Sequence, residues 1–125
     1  MRLYLFFSHR LTPEQEEDAR KSLGVTEFVY LPPHLQELFS NVPADLEDLG
    51  GYVRPFVDYL LGHSRSGEYI LLQGEFGLVY RLIETSRAIG LVPVYATTKR
   101  TVVEEIKDGQ VVKVSRFEHV RFRKY

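Results

Sequence analysis

"RLYLFFSHRLTPEQEEDARKSLG" (2–24) contains one whole structural unit of the chain. Its first part, "RLYLFF" (2–7), is a nearly continuous apolar run, as expected of a strand buried on both faces. The run stops at "SHRL" (8–11). Thr12 can then cap a helix, Pro13 suits its first position, and Gln15 completes a capping-box spacing. Acids fill the first turns, Arg20 and Lys21 the last, and Gly24 ends the helix. A buried strand feeding a helix through a short loop is the start of a βαβ crossover.

The same rhythm continues downstream. "TEFVYL" (26–31) reads as a second strand, and "PPHLQELFSNVP" (32–43) as a short helix begun by prolines, followed by a loop. "ADLEDLGGYVRPFVDYLLGHS" (44–64) has helical periodicity with a Gly-Gly interruption, and its main helix is expected from about Pro55 to Leu61. "EYILLQ" (68–73) is a third buried strand, "GEFGLVYRLIETSRAIG" (74–90) a helix, and "LVPVYA" (91–96) a fourth strand. In that last helix Phe76, Val79, Tyr80 and Ile83 stand at i, i+3, i+4 and i+7, which predicts that this face goes to the core. The closing segment breaks the alternation, because "RTVVEEI" and "VVKVSRF" flank "KDGQ" (107–110), a hairpin signal. The expected fold is one α/β domain over 1–125: a Rossmann-like, mainly parallel sheet flanked by helices, with a C-terminal β-hairpin.

Composition bounds the function. The 125 residues are 44% hydrophobic and 13% aromatic, which fits a packed globular domain rather than a disordered chain. No apolar run approaches the ~20 residues of a membrane span, and no signal-peptide pattern opens the chain. With no cysteine, disulfide and thiol chemistry are excluded, and a reducing cytoplasm suits the chain. Net charge is −1, unevenly spread: residues 1–98 carry 8 Lys+Arg against 13 Asp+Glu, and residues 99–125 carry 8 against 4. That cationic end offers a local surface to a polyanion, though not a coat for long nucleic acid; an exposed strand edge guarded by charge is the alternative.

Ligands of open parallel sheets bind beyond the carboxyl ends of the strands. Three segments should reach that edge: "SHR" (8–10), "QGEFG" (73–77) and "TTKR" (97–100). They bring Ser8, His9, Arg10, Gln73, the amides of Gly74 to Gly77 (with Glu75 and Phe76 between them), and Thr97, Thr98, Lys99 and Arg100. Hydroxyls and cations without a carboxylate after the fourth strand are what an anion wants. Gly74 either relieves a tight strand-to-helix turn or lets a phosphate approach the amides of a helix start. "GEFG" lacks the full dinucleotide fingerprint, and no Walker lysine follows. His9 is either a surface histidine or an acid/base group. Ser8 has no Asp partner for a triad, and "FFSHR" is not a nucleophile elbow. Ser40 and Asn41 in "FSNVP" (39–43) either reach the ligand or make turn bonds. His34, His63 and His119 show no metal-ligand spacing. The acids of "ADLEDL" (44–49) fit an exposed helix start as well as a divalent ion, so no metal and no cofactor is expected.

These residues resemble the small stand-alone CRISPR-associated ring nucleases, relatives of the CARF (CRISPR-associated Rossmann fold) sensor domains. The resemblance covers nearly the whole chain, through "LFFSHRLTPEQ", "FVYLP", "LFSNVP", "ILLQGEFG", "VPVYATTKR" and "FEHVRFRKY". It implies a cytoplasmic homodimer that binds cyclic oligoadenylate, most readily cyclic tetra-adenylate, across its two-fold axis. It further implies metal-independent cleavage to linear products with a 2′,3′-cyclic phosphate, ending second-messenger signalling in type III CRISPR antiviral defence. The loops after the first and fourth strands would form the ligand floor. The expected catalytic set is His9, Lys99 and Ser8. The expected ligand-binding set is Arg10, Asn41, Gln73, Gly74, Glu75, Phe76, Gly77, Thr97, Thr98 and Arg100. Two other readings stay open: a non-catalytic cyclic-oligoadenylate sensor or sequestering module, and a flavodoxin-like mononucleotide-binding domain.

Overall fold

A computed structural model describes residues 1–125. The elements follow in the order β1 (Arg2–Phe6), α1 (Pro13–Leu23), β2 (Glu27–Tyr30), α2 (Pro33–Ser40), α3 (Arg54–His63), β3 (Tyr69–Leu72), α4 (Phe76–Ala88), β4 (Val92–Lys107) and β5 (Gln110–Lys124). One five-stranded sheet is ordered β2-β1-β3-β4-β5, with the first four strands parallel and β5 antiparallel to β4. The chain is therefore a mixed α/β protein, with the crossovers and the C-terminal hairpin where the sequence puts them.

Local chemistry explains the ends of the elements. At α1 the Thr12 amide donates to Gln15 Oε1 (2.9 Å) and the Gln15 amide to Thr12 Oγ1 (3.2 Å), the reciprocal capping box. The hairpin turns at Asp108 (φ 51°) and Gly109 (φ 75°). Two successive left-handed residues make the tight turn whose twist matches the strands, and Asp-Gly is among the pairs that favour it. Between Ala44 and Val53 the chain forms turns instead of helix, so the acids of "ADLEDL" lie in a loop. The Gly-Gly pair there favours turns over helix.

The core is one cluster of 22 buried residues. β1 sits at its centre, with Leu3, Tyr4, Leu5 and Phe6 essentially inaccessible. Phe6 packs edge-on to Phe39 of α2, whose ring is 6.0 Å from that of Phe56 on α3. The buried Tyr4 hydroxyl donates to the His63 carbonyl (3.0 Å), which ties β1 to the end of α3.

Two further structural expectations are corrected. On α4 the residues facing the core are Leu78, Val79, Leu82 and Ser86. Phe76 is 93% exposed and Tyr80 64% exposed. The predicted stripe is displaced around the helix because Leu78 and Leu82, one turn apart, supply the larger inward pair. The second correction concerns "TTKR", which is not a loop beyond a strand tip. β4 runs without interruption through Thr97–Arg100 to Lys107, paired with β5 over its whole length beyond the sheet. β3 ends at Leu72, so from about Ala96 onward β4 and β5 leave the body as a two-stranded ribbon. The ladder survives because the bulge between Thr97 and Thr98 is bridged by a side chain. Thr97 Oγ1 accepts from the Arg121 amide (3.2 Å) and donates to the Arg121 carbonyl (3.0 Å).

Candidate functional site

The expected site residues separate into groups. Ser8, His9 and Arg10, all exposed after β1, line an open cleft of about 410 Å³ with Tyr30, Leu31, Pro33 and Gln36, and no carboxylate lines it. Gln36 Nε2 donates to the Phe7 carbonyl (2.9 Å) and to Ser40 Oγ (3.0 Å), and Ser40 Oγ lies 3.0 Å from Ser8 Oγ. That chain of bonds from α2 fixes the loop. Arg10 lies over the Tyr30 ring, 4.1 Å from its centroid, a contact that positions the guanidinium while leaving its in-plane N–H groups free. His9 stands edge-on to Phe7 (6.3 Å), and no hydrogen bond orients its ring.

A second group forms where β3 stops and β4 continues. Gln73, Gly74, Phe76, Val79, Tyr80, Ile83, Tyr95 and Tyr125 line a cavity of about 480 Å³. Gln73 Oε1 accepts the Ala96 amide (2.8 Å), so this side chain carries on the ladder that β3 has left. The Tyr125 hydroxyl donates to the Leu72 carbonyl, and its ring lies 4.8 Å from Tyr95. Burial pushes the Tyr125 phenol above its ordinary pKa, and neighbouring Tyr95 adds to the effect. Strand alternation puts Tyr95, Thr97 and Lys99 on one face of β4, opposite Arg123, Arg121 and Glu118 of β5. Arg123 donates to the Tyr95 hydroxyl (2.9 Å) and lies over its ring at 5.6 Å. Cations and aromatic rings thus share this face with one carboxylate, Glu118, which stands opposite Lys99 where the sequence reading expected none.

Other expected ligand groups are already engaged. Glu75 caps α4, and its carboxylate accepts the amides of Gly77 (2.7 Å) and Leu78 (3.1 Å). The helix start that was to receive a phosphate holds an anion of its own, and a second would be repelled. A Cβ on Gly74 would fall 2.9 Å from two carbons of the Phe39 ring, so close packing accounts for this glycine. Asn41 Nδ2 donates to the Glu37 carbonyl (2.9 Å) at the end of α2, a capping bond. Arg100 donates through Nε (3.2 Å) and Nη2 (3.0 Å) to Ser115 across the ribbon. Thr98 faces the start of α1 with Phe117 and His119, on the side of the ribbon away from Lys99.

The largest cavity, about 550 Å³, is lined by Glu47, Asp48, Glu75 and Arg81 among others. Three carboxylates against one arginine suit no polyanion. Asp48 is taken by Arg81 (2.6 Å) and the Gly50 amide (2.9 Å), and no cluster of three or more His, Cys, Asp or Glu is arranged to hold a metal ion.

Arg121, Arg123 and Tyr80 were missed from the sequence. The signal for the two arginines was the alternation in "RFRKY" (121–125), where Arg121 and Arg123 share a face with Tyr125 and the intervening Phe122 is buried. Tyr80 was assigned to the core by its helical spacing.

Fold and site define a class: a mixed α/β protein with a carboxylate-free cleft at the carboxyl end of its first strand and an aromatic, cationic face at the root of a C-terminal ribbon. More particularly, the chain belongs to the Uncharacterized protein MJ1673 family, whose profile matches residues 1–123. It is 44% identical over 124 residues to "Uncharacterized protein MJ1673" of Methanocaldococcus jannaschii, covering 99% of this chain and 96% of that relative. No solved structure matches the chain. No helix is long and apolar enough to cross a membrane.

Proposed function

We propose that this protein is a ring nuclease with a CARF-like, Rossmann-type domain that binds cyclic oligoadenylate as a homodimer and cleaves it without a metal ion. The observation that carries the reading is the Ser8–His9–Arg10 cleft, where hydroxyls, an imidazole and a guanidinium stand exposed with no carboxylate among the lining side chains. β1 and β4 are two strand spacings apart in the sheet, about 10 Å. An oligonucleotide that follows the carboxyl edge and then the ribbon root would therefore touch this cleft, Tyr95 and Arg123, then Arg121 and, four residues (~13 Å) beyond Tyr95 along β4, Lys99. Cations there meet phosphates, and the exposed rings of Phe76 and Tyr80 on neighbouring α4 offer surfaces for stacking adenines.

RNA carries its own nucleophile. The ribose 2′-oxygen forms a bond to the adjacent phosphorus, the P–O5′ bond breaks, and the proton of the 2′-OH ends on the departing 5′-oxygen. A 2′,3′-cyclic phosphate remains. The protein aligns the attack and stabilises the phosphorane charge. In this reading Arg10 and Lys99 supply cationic donors, His9 moves the proton, and the Ser8–Ser40 pair steadies the loop.

The test is cleavage of labelled cyclic tetra-adenylate in excess EDTA, with equilibrium binding measured beside single-turnover rates. Lys99→Ala removes a charge-assisted contact worth ~1.5–3 kcal/mol and should weaken binding by roughly one to two powers of ten. His9→Ala should keep affinity and lose ~10²–10⁴-fold in rate. Activity abolished by EDTA and restored by magnesium or manganese would overturn the metal-free chemistry. A second reading, a binding module without cleavage, is favoured by one feature: no hydrogen bond orients the His9 ring, which only stands edge-on to Phe7. Tight binding of an intact ring identifies it.

A further inference from the structure

The ribbon beyond Thr98 touches the body only at its root, where His119 Nε2 meets Asp18 of α1 at 2.7 Å. Between Arg100 and Phe117 it carries four cations and three acids, so it is not an arm for polyanions. An isolated two-stranded ribbon is at best marginally stable in water. This one nevertheless presents a row of bare apolar side chains on one face: Val102 54%, Ile106 78%, Val111 66% and Phe117 68% exposed.

The register gives that face an internal symmetry. Moving outward, its rows are Thr98 opposite His119, Arg100 opposite Phe117, Val102 opposite Ser115, Glu104 opposite Lys113, and Ile106 opposite Val111. Arg100 and Glu104 are equidistant from Val102 and opposite in sign. On the other strand Phe117 and Lys113 are equidistant from Ser115, an apolar group and a cation. A second ribbon laid antiparallel over this face, about a two-fold axis at Val102, sets Arg100 against the second copy's Glu104 and Phe117 against its Lys113. Each contact occurs twice. Its tip, Ile106 and Val111, then reaches the root row, beside which lies an open cavity of about 470 Å³ lined by Thr12, Pro13, Thr98 and Phe117 among others.

We infer that the β4–β5 ribbon is a dimerisation arm that packs face to face with the arm of a second copy, centred on Val102. The partner is a second copy because Arg100 and Glu104, placed symmetrically about Val102, each meet the opposite charge on an identical arm, while Lys113 lies over Phe117. The inference stands apart from the cleavage chemistry, and its test reads mass rather than product.

The experiment measures the mass of the full chain by light scattering and sedimentation at micromolar concentration, for the parent, for Arg100→Glu, for Glu104→Arg, and for an equimolar mixture of the two variants. The parent should have twice the 14.5 kDa chain mass. Each variant opposes like charges at both symmetry-related contacts, which should weaken its dimer roughly ten- to a hundredfold. In the mixture a chain carrying Arg100→Glu meets one carrying Glu104→Arg. The two exchanged side chains then face each other at one contact and the unchanged Arg100 and Glu104 at the other, so dimers should return. A variant that had merely lost its fold would not be rescued by mixing. A monomeric parent, variants that dimerise as the parent does, or a mixture that stays monomeric would each overturn the inference.

Discussion

Replacing Gly74 by alanine separates two explanations of that glycine. The added Cβ would lie 2.9 Å from Cε1 and Cζ of Phe39, where carbon atoms prefer about 3.5–4.0 Å. Phe39 is 2% exposed and held by Phe6 and Phe56, each with its ring centroid 6.0 Å away, so its ring has no room to retreat. Overpacking of this kind costs about 1–3 kcal/mol. Gly74 does not have a positive φ, so alanine also returns ~0.4–1 kcal/mol by restricting the unfolded chain. The expected net loss is about 1–2 kcal/mol, seen as a lower urea midpoint with an unchanged slope. Combining the change with Phe39→Leu, which removes the offending ring atoms, should recover most of that loss as a favourable coupling. If Gly74→Ala is as stable as the parent, or costs the same in both backgrounds, the packing explanation fails.

Two further outcomes follow from groups whose partners are known. Glu75→Ala leaves the Gly77 and Leu78 amides without their acceptor and should lower stability by about 1 kcal/mol in urea titration; an unchanged midpoint would show that solvent replaces the cap. Burial opposes ionisation of Asp18, but hydrogen bonds from Ser22 and His119 outweigh it and hold the carboxyl below its ordinary pKa. A depressed folded pKa stabilises the fold above the unfolded value of ~3.9, and that contribution is lost as pH falls from there through the lower folded value. Stability followed from pH 6 to pH 2 should therefore fall less steeply in Asp18→Asn than in the parent, and equal slopes would refute the assignment.

The strand and helix pattern was legible because its signals are local. Thr12, Pro13 and Gln15 carry their own capping geometry, and "KDGQ" carries its turn. The inward face of α4 was harder to read. Phe76, Val79, Tyr80 and Ile83 satisfy helical periodicity, but so do Leu78, Leu82 and Ser86, and only the position of the sheet chooses between them. The length of β4 was hidden for a related reason. "TTKR" looks like the end of a strand when charge is taken to mark a loop, yet charged residues are common on ribbons that are exposed on both faces.

The site shows the same limit at the level of single groups. "QGEFG" supplies a glycine and a helix start, which is all a phosphate nest needs, but it also supplies a glutamate at the capping position. A carboxylate already attached to the chain reaches those amides without any loss of translational freedom, so it outcompetes a free anion unless the site forces it aside. The glycine-loop amides are thus occupied, and the cations near this edge stand on alternate residues of the ribbon root: Lys99, expected from the sequence, joined by Arg121 and Arg123 beside Tyr95. That placement depends on the bulge at Thr97: one extra residue in β5 decides which of its side chains face Lys99. Reading a basic C-terminal tail for function thus requires its strand register as well as its charge.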